Sequence, residues 1–250
     1  MENYLSQIAE NTQSKKSIIL VVSDKTCTVN TTFNPPIHLN PKRQYEMALV
    51  NLETYYSFPN VDDTNNTFKY SSDGEKNWKS VKIPVGCYEI ESLNAAIKRL
   101  LGSVGGGGGI EVKPNLNTLK CILSIKGTYA IDFNVKNSLR TLLGFAAKQY
   151  SEGVYTSESI VNILRVNSIL VHTDIVTNSY MKGEMQPVIY NFFPNVSPGE
   201  KIISTPKNLI YLPITVDTIY RLKTWLTDQD NQHLDLRGEV LTIRYHLREC

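Results

Sequence analysis

The spacing of apolar residues predicts β-strands along most of the chain after its first 16 residues. Residues 18–22 are five consecutive apolar residues, four of them β-branched, which is typical of a buried strand. Residues 26–33 are rich in Thr and Val and predict a second strand, which the sequence Asn34-Pro35-Pro36 is expected to break. Residues 44–58 carry apolar side chains in both alternating registers, so we expect a strand that is covered on both faces.

The remaining β pattern consists of short segments separated by turn residues. Residues 68–70 and 78–83 predict a hairpin around Ser72-Asp73-Gly74. Further strands are predicted at 110–112, 118–125, 129–133, 166–174, 186–193, 209–216, 220–226 and 239–247, with prolines at several of the breaks. A total of about ten to twelve strands is typical of a sandwich or barrel and argues against an α/β fold.

One segment has the periodicity of an α-helix. Its apolar residues recur at i, i+3, i+4, i+7 and i+8 from Leu93, so the spacing predicts a short helix over about 92–101. Ser92 is expected to cap its start, and Gly102 stands where a left-handed C-terminal residue is common. A short helical turn is expected over 138–143, ending at Gly144.

Two segments lack a pattern that builds a core. Residues 1–16 are polar, with Leu5 and Ile8 on one possible helical face, and we interpret them as a flexible arm or short helix. Residues 105–109 are five glycines, which predict a flexible loop over 103–109 whose length is dispensable. The run is either natural or a replacement for a removed loop, and the sequence leaves both open.

We expect a single domain over residues 17–250, because no internal repeat or interdomain linker is visible.

Composition and charge narrow the function classes. The 250 residues carry a net charge of only +2, whereas a protein that coats nucleic acid has a clear basic excess. We therefore expect no specific nucleic-acid recognition. The start of the chain does not resemble a signal peptide, and no apolar run reaches the about 18 residues of a membrane-spanning helix.

The candidate chemistry is sparse. No histidine lies three to five residues from another histidine or from a cysteine, so no local zinc motif is present. Motifs for phosphate-binding loops, nucleophile elbows and metalloproteases are also missing. Cys27 and Cys87 have no signature that would bring a histidine beside them. Residues 228–232 lack the calcium-loop pattern and are interpreted as a polar turn. We expect no catalytic residue, metal site or organic cofactor.

Several segments, taken in their order and spacing, resemble a family of capsid proteins. They are 45–55 (YEMALVNLETY), 83–97 (IPVGCYEIESLNAAI), 137–145 (NSLRTLLGF), 190–198 (YNFFPNVSP), 209–213 (LIYLP) and 234–247 (LDLRGEVLTIRYHL). This combination resembles the penton, or minor capsid, proteins of polinton/maverick elements and adintovirus-like double-stranded DNA viruses. The similarity extends from about residue 17 to the C-terminus, and the glycine run departs from it.

The resemblance implies an all-β protein with a single jelly-roll antiparallel β-sandwich and no enzymatic activity. It implies homopentamers at icosahedral vertices beside a double jelly-roll major capsid protein. It also implies a location in the virion, after synthesis in the cytoplasm and assembly in the host nucleus. Candidate subunit contacts are Leu5 and Ile8 in the arm and Phe192, Phe193 and Pro194 beside a rigid turn. The alternative is a jelly-roll module that binds a glycan or a receptor.

Overall fold

The computed structural model describes residues 15–102 and 108–250, and within them the chain forms eighteen strands and two helices. The paired strands are antiparallel, which confirms the predicted all-β class. In chain order the elements are β1 (Ser17–Asp24), β2 (Thr28–His38), β3 (Tyr45–Tyr55), β4 (Thr67–Ser71), β5 (Lys79–Lys82), α1 (Ile90–Leu100), β6 (Ile110–Asn115), β7 (Lys120–Ile125), β8 (Ala130–Asp132), α2 (Arg140–Leu143), β9 (Gln149–Tyr150), β10 (Gly153–Thr156), β11 (Ile169–Thr173), β12 (Tyr180–Met181), β13 (Glu184–Met185), β14 (Val188–Phe192), β15 (Lys201–Ser204), β16 (Leu212–Pro213), β17 (Thr218–Thr227) and β18 (Leu241–Glu249).

The described chain divides into two compact units. The first combines residues 15–57 with residues 166–250, and the second consists of the described residues between 58 and 165. The second unit is therefore an insert in the chain of the first. The domain expected over 17–250 thus comprises a discontinuous unit and a contiguous insert, and the sequence pattern gave no sign of either junction.

The first unit has the strand order of a jelly roll. One sheet runs β1-β18-β3-β15, with β16 also paired to β3, and the other runs β14-β11-β17-β2. Setting aside β16 and the small β12–β13 hairpin, the eight remaining strands can be lettered B to I in chain order. The two sheets then read BIDG and CHEF, which is the jelly-roll arrangement of two four-stranded sheets.

A bulge in β3 explains why both of its registers are apolar. On β18, Ile243, Tyr245 and Leu247 alternate regularly toward the core, and all three are buried. Their partners on β3 are Leu52, Leu49 and Met47, so the partner positions change from even to odd numbers along the strand. The change occurs where the register shifts between Arg244 and Tyr245 of β18. One extra residue on β3 exchanges its inward and outward positions, so the predicted double apolar pattern follows from the bulge.

A buried hydrogen bond joins β18 to β17, which belong to different sheets of this unit. The hydroxyl group of Tyr245 donates to Thr224 Oγ1 at 3.1 Å, and both residues are fully buried. Buried hydroxyl groups require a partner, and these two satisfy each other. The bond therefore fixes the core of the jelly roll at one point between its sheets.

Two predictions for this unit were wrong in detail. The prolines do not end the second strand, because β2 continues to His38 and pairs with β17 on both sides of a register shift. β2 is the edge strand of its sheet, where a residue without an N–H group is tolerated. Residues 209–216 do not form a full strand either. Within this segment only the two residues of β16 pair with β3, opposite Met47 and Glu46, and one of the two is Pro213.

The second unit has its own sheets and its own core. One sheet runs β10-β7-β6 and the other runs β5-β4-β8-β9, in which β4 and β5 form the predicted hairpin. The apolar faces of these strands and of the helices enclose one contiguous buried cluster. Within it, the rings of Phe133, Phe145 and Tyr150 pack with centroids 5.4–5.9 Å apart. Such aromatic packing adds to the stability that area burial provides.

Helix α1 buries the predicted face but begins two residues early. Glu89 is the N-terminal cap, and Ser92 lies in the first turn, where its Oγ accepts the Glu89 N–H at 3.0 Å. The cap predicted at Ser92 is therefore wrong: Ser92 is the third residue of the helix and its side chain binds back to the cap residue. Gly102 has φ +72° and follows the helix as expected, and Gly144 with φ +81° ends α2 in the same way.

The last glycine of the run is packed. The Gly109 carbonyl accepts the Lys126 N–H at 2.8 Å, and a Cβ added to Gly109 would lie 2.1 Å from Tyr129 Cδ2. Lys98 of α1 and Glu111 of β6 form an ion pair at 2.6 Å close to this point. The predicted loop over 103–109 is therefore corrected at Gly109, and its residues 103–107 lie outside the described part of the chain.

Candidate subunit-contact surfaces

The aromatic pair after β14 is divided by the alternation of the strand. Phe192 is the last residue of β14 and is buried, and its ring stacks on Tyr190 with centroids 5.9 Å apart. Phe193 points the other way and is 69% exposed, and Pro194 is half-buried. Of these three candidates, Phe193 is the side chain that is available for a contact with another molecule.

The other two predicted contact residues, Leu5 and Ile8, lie outside the described residues. For both groups of candidates, participation in a subunit contact stays a prediction.

Both outer strands of the BIDG sheet carry exposed apolar side chains. On β1, Ile19 and Val21 are more than half exposed, and on β15 the same holds for Ile203. A ring of identical subunits needs two different patches that meet repeatedly, and two opposite sheet edges are one way to provide them. Sequence reasoning missed these residues because it treated 18–22 as buried and did not detect the short strand β15.

A network of polar side chains covers part of the outer face of the same sheet. His246 Nε2 lies 2.7 Å from Ser17 Oγ, and His246 Nδ1 lies 2.7 Å from the hydroxyl oxygen of Tyr211. The Arg248 guanidinium stacks on the Tyr211 ring at 3.5 Å and forms an ion pair with Glu46 at 2.5 Å. Both ring nitrogens of this histidine are engaged, so the network holds the Tyr211 side chain against the sheet.

Cys27 lies beside a histidine, although no signature in the sequence pairs the two residues. Its Sγ is 3.8 Å from Nδ1 of His233, which the loop between β17 and β18 brings back by a bridge to Thr227. No sequence motif signals this contact, because the two residues are far apart in the chain. The distance is longer than the about 2.6–3.2 Å expected for a nucleophile and its base. The contact alone therefore does not assign catalysis.

The neighbouring His172 is a core residue. Its ring stacks on Trp225 with centroids 5.1 Å apart, and its Nε2 lies 2.9 Å from Thr227 Oγ1. Burial, followed by the charge of His233, lowers the pKa of His172 to about 4. His172 is thus uncharged at neutral pH, which suits its buried position. Within the described residues, 15–102 and 108–250, no three His, Cys, Asp or Glu side chains are close enough together to hold a metal ion.

The loop that carries His233 begins with the polar segment 228–232. The Asp228 Oδ1 accepts the N–H groups of Asp230 and Gln232 at 2.8 and 2.9 Å, and the Asp228 N–H donates to the Gln232 carbonyl at 2.9 Å. An aspartate whose oxygen binds the backbone two residues later is a common turn element. The segment is therefore the polar turn that the sequence predicts.

Comparison with known proteins gives a structural match to a penton protein. No family model and no curated protein matches the sequence. The crystal structure of the mavirus penton protein superposes with a TM-score of 0.51 over 94% of this chain and 100% of that chain, at 11% identity. At this identity the likeness shows a shared fold, the jelly-roll fold of a penton protein. It agrees with the strand order described above.

Two structures of the flagellar cap protein FliD from Escherichia coli also match, but with TM-scores of 0.21 and 0.20 they carry no argument about the fold. The helices in the described part of the chain are all too short or too polar to cross a membrane.

Proposed function

We propose that this chain is a structural capsid protein, the penton subunit at the icosahedral vertices of a double-stranded DNA virus or virus-like transposon. The observation that carries the proposal is the BIDG–CHEF strand order together with the match to the mavirus penton protein over 94% of the chain. The sequence resemblance to penton proteins of polinton/maverick elements and adintovirus-like viruses supports the same role. In this role the chain acts by assembly and has no enzymatic activity or cofactor.

The proposed assembly is a homopentamer beside a double jelly-roll major capsid protein, located in the virion. A closed ring requires a heterologous contact between two different surfaces of each subunit. Exposed apolar side chains at opposite edges of the BIDG sheet support such a contact, with Ile19 and Val21 on β1 and Ile203 on β15. Phe193 begins the loop that leads from β14 to β15 and is proposed as a further contact, because its side chain is exposed. The N-terminal arm with Leu5 and Ile8 is proposed as an additional contact.

The test is the mass of the full-length protein in solution, followed by incorporation into shells of the matching major capsid protein. We expect pentamers or vertex incorporation for the unaltered chain. Ile203→Asn and Phe193→Ser should weaken both, because polar side chains cannot replace apolar contacts at a subunit interface. Tyr220→Ser is the matched control, since Tyr220 is exposed to a similar degree on β17 of the other sheet.

Removal of residues 1–16 tests the arm in the same two assays. A chain that stays monomeric at high concentration and also fails to enter shells would refute the capsid role. In that case the jelly-roll module that binds a glycan or receptor would replace it. Loss of assembly in Tyr220→Ser to the same extent as in Ile203→Asn would refute the assignment of the contact surface.

A further inference from the structure

The tip of the β6–β7 hairpin in the second unit exposes two leucines. Leu116 is 81% exposed and Leu119 is 61% exposed, and both lie in the turn between Asn115 and Lys120. Below the tip, the hairpin is anchored by Val112 and Leu123, which are buried in the core of the unit. A rigid hairpin thus presents two large apolar side chains at its outer end.

The turn is held in place by defined hydrogen bonds. Asn115 Oδ1 accepts the N–H groups of Asn117 and Thr118 at 3.2 and 3.3 Å. The Leu119 carbonyl accepts the Val161 N–H at 2.9 Å. The exposure of the leucines is therefore a property of an ordered turn with bonds on both sides.

The backbone of Leu119 is in the left-handed region, with φ +56°. Seven non-glycine residues in the described chain have positive φ, and the other six are polar or charged: Glu75, Asn137, Asn178, Lys182, Asn231 and Arg237. This conformation is unfavourable for a leucine and is tolerated better by asparagine. Burial does not offset the cost, since the side chain is largely exposed. Unfavourable backbone conformations of this kind are concentrated at functional sites.

The charge around the tip is positive. Residues 113–120 (KPNLNTLK) contain two lysines and no carboxylate. Register and alternation place Lys113 and Lys120 on the same outward face of the hairpin, because Lys113 is opposite Ile122 and Lys120 is opposite Asn115. Glu111 forms ion pairs with Lys113 and with Lys98, so one carboxylate is shared between two lysines. Lys113, Lys120 and Lys98 together therefore outnumber the one carboxylate of Glu111, which leaves positive charge in excess on this side of the hairpin.

We propose that this tip binds an anionic lipid surface, with Leu116 and Leu119 inserted at the boundary of headgroups and acyl chains. Lys113 and Lys120 would then lie at the level of the lipid phosphates, where each basic residue strengthens binding. A lipid surface fits better than a protein partner because residues 113–120 include no tyrosine, tryptophan or arginine of the kind that anchors protein interfaces. This inference goes beyond the proposed function and does not depend on it.

The experiment is co-flotation of the full-length protein with vesicles of phosphatidylcholine alone or mixed with phosphatidylserine. We expect binding to the phosphatidylserine vesicles that weakens at high salt, because screening shortens the reach of the lysines. Lys120→Glu should lower the affinity more than about fivefold. The double variant Leu116→Asn/Leu119→Asn should lower it at least about tenfold, since it removes the apolar insertion.

Two further measurements separate binding from folding. Leu119→Asn alone should keep or raise the melting temperature while weakening vesicle binding, because asparagine is better suited to φ +56°. Val154→Asn is the matched control: Val154 is 74% exposed on β10 and pairs with Ser124, four residues along β7 from Lys120. It should bind vesicles like the unaltered chain.

The proposal is overturned if the unaltered protein does not bind anionic vesicles or if the double leucine variant binds them equally well. An equal loss in Val154→Asn would also overturn it, since adsorption would then not depend on the tip. If the leucine substitutions instead abolish self-association without any vesicle binding, the tip is a contact between copies of the chain and the lipid assignment is wrong.

Discussion

Gly109 offers the sharpest test of the packing in the second unit, because its neighbour in the glycine run is a matched control. A Cβ on Gly109 would lie 2.1 Å from Tyr129 Cδ2 and 2.8 Å from the Lys126 carbonyl oxygen. A Cβ on Gly108 would have its nearest neighbours at 3.9 Å, an ordinary contact distance. The change from glycine to alanine is chemically the same at both positions, so any difference reports the local space.

The expected effects have opposite signs. Gly109→Ala should lower the free energy of unfolding by about 1–3 kcal/mol, the usual cost of overpacking. Gly108→Ala should leave it unchanged or raise it by about 0.4–1 kcal/mol, because alanine restricts the unfolded chain. In thermal melts each kcal/mol corresponds to a shift of roughly 2–4 °C for a chain of this size. Thermal and urea melts of both variants beside the unaltered protein provide the measurement.

A second substitution tests the cause. Tyr129→Ala removes the two atoms closest to the added Cβ. Gly109→Ala should therefore cost less stability in the Tyr129→Ala background than in the unaltered protein. The Lys126 carbonyl remains at 2.8 Å, so recovery should be incomplete. Equal stability of the Gly108 and Gly109 variants would refute the reasoning and show that the chain at Gly109 adapts without cost.

Three further predictions concern other parts of the structure. Tyr245→Phe should lower the free energy of unfolding by about 1–2 kcal/mol, because Thr224 loses its buried partner; an unchanged urea midpoint would contradict this. Burial lowers the pKa of His172 from 6.5 to about 4, so the imidazole gains its proton at a higher pH in the unfolded chain than in the folded one. Acidification from about pH 6.5 to 4 should therefore lower the free energy of unfolding by up to about 3 kcal/mol. Urea melts should show that the free energy of unfolding of His172→Phe depends less on pH across this range. Gly144→Ala should lower the melting temperature more than any of these changes, since φ is +81° and a Cβ would lie 2.3 Å from the Ser159 carbonyl oxygen; a normal melt would disprove the clash.

Much of the fold was predictable because local signals were sufficient where they were strong. The alternation in 239–247 and the helical spacing around Leu93 located β18 and α1 within two residues. The two apolar registers of 44–58 were also recognised, but their cause was not. A bulge depends on the partner strand, and the partner of β3 is β18, which is far away in the sequence.

The site was less predictable than the fold. The alternation of apolar residues does not show which of Phe192 and Phe193 is buried, because the sheet that a strand joins decides which of its faces points to the core. The contact between Cys27 and His233 depends on a loop that returns to the sheet, which no spacing rule anticipates. The two-unit organisation was missed for a similar reason, since the junctions at residues 57 and 165 lack the composition of a linker.

The pairing of the first strand with the last has a consequence for synthesis on the ribosome. β1 is paired with β18, from Ser17 with Arg248 to Asp24 with Leu241, so β1 is made long before its partner. At a synthesis rate of about 5–20 residues per second, β18 is made roughly 10–40 s after β1. During this time the contiguous segment 58–165 can fold as it leaves the ribosome. During that interval β1 and β3 expose unpaired edges of the kind that drive aggregation. Chains that terminate before β18 should therefore accumulate as insoluble protein or recruit chaperones, even though they contain the complete second unit.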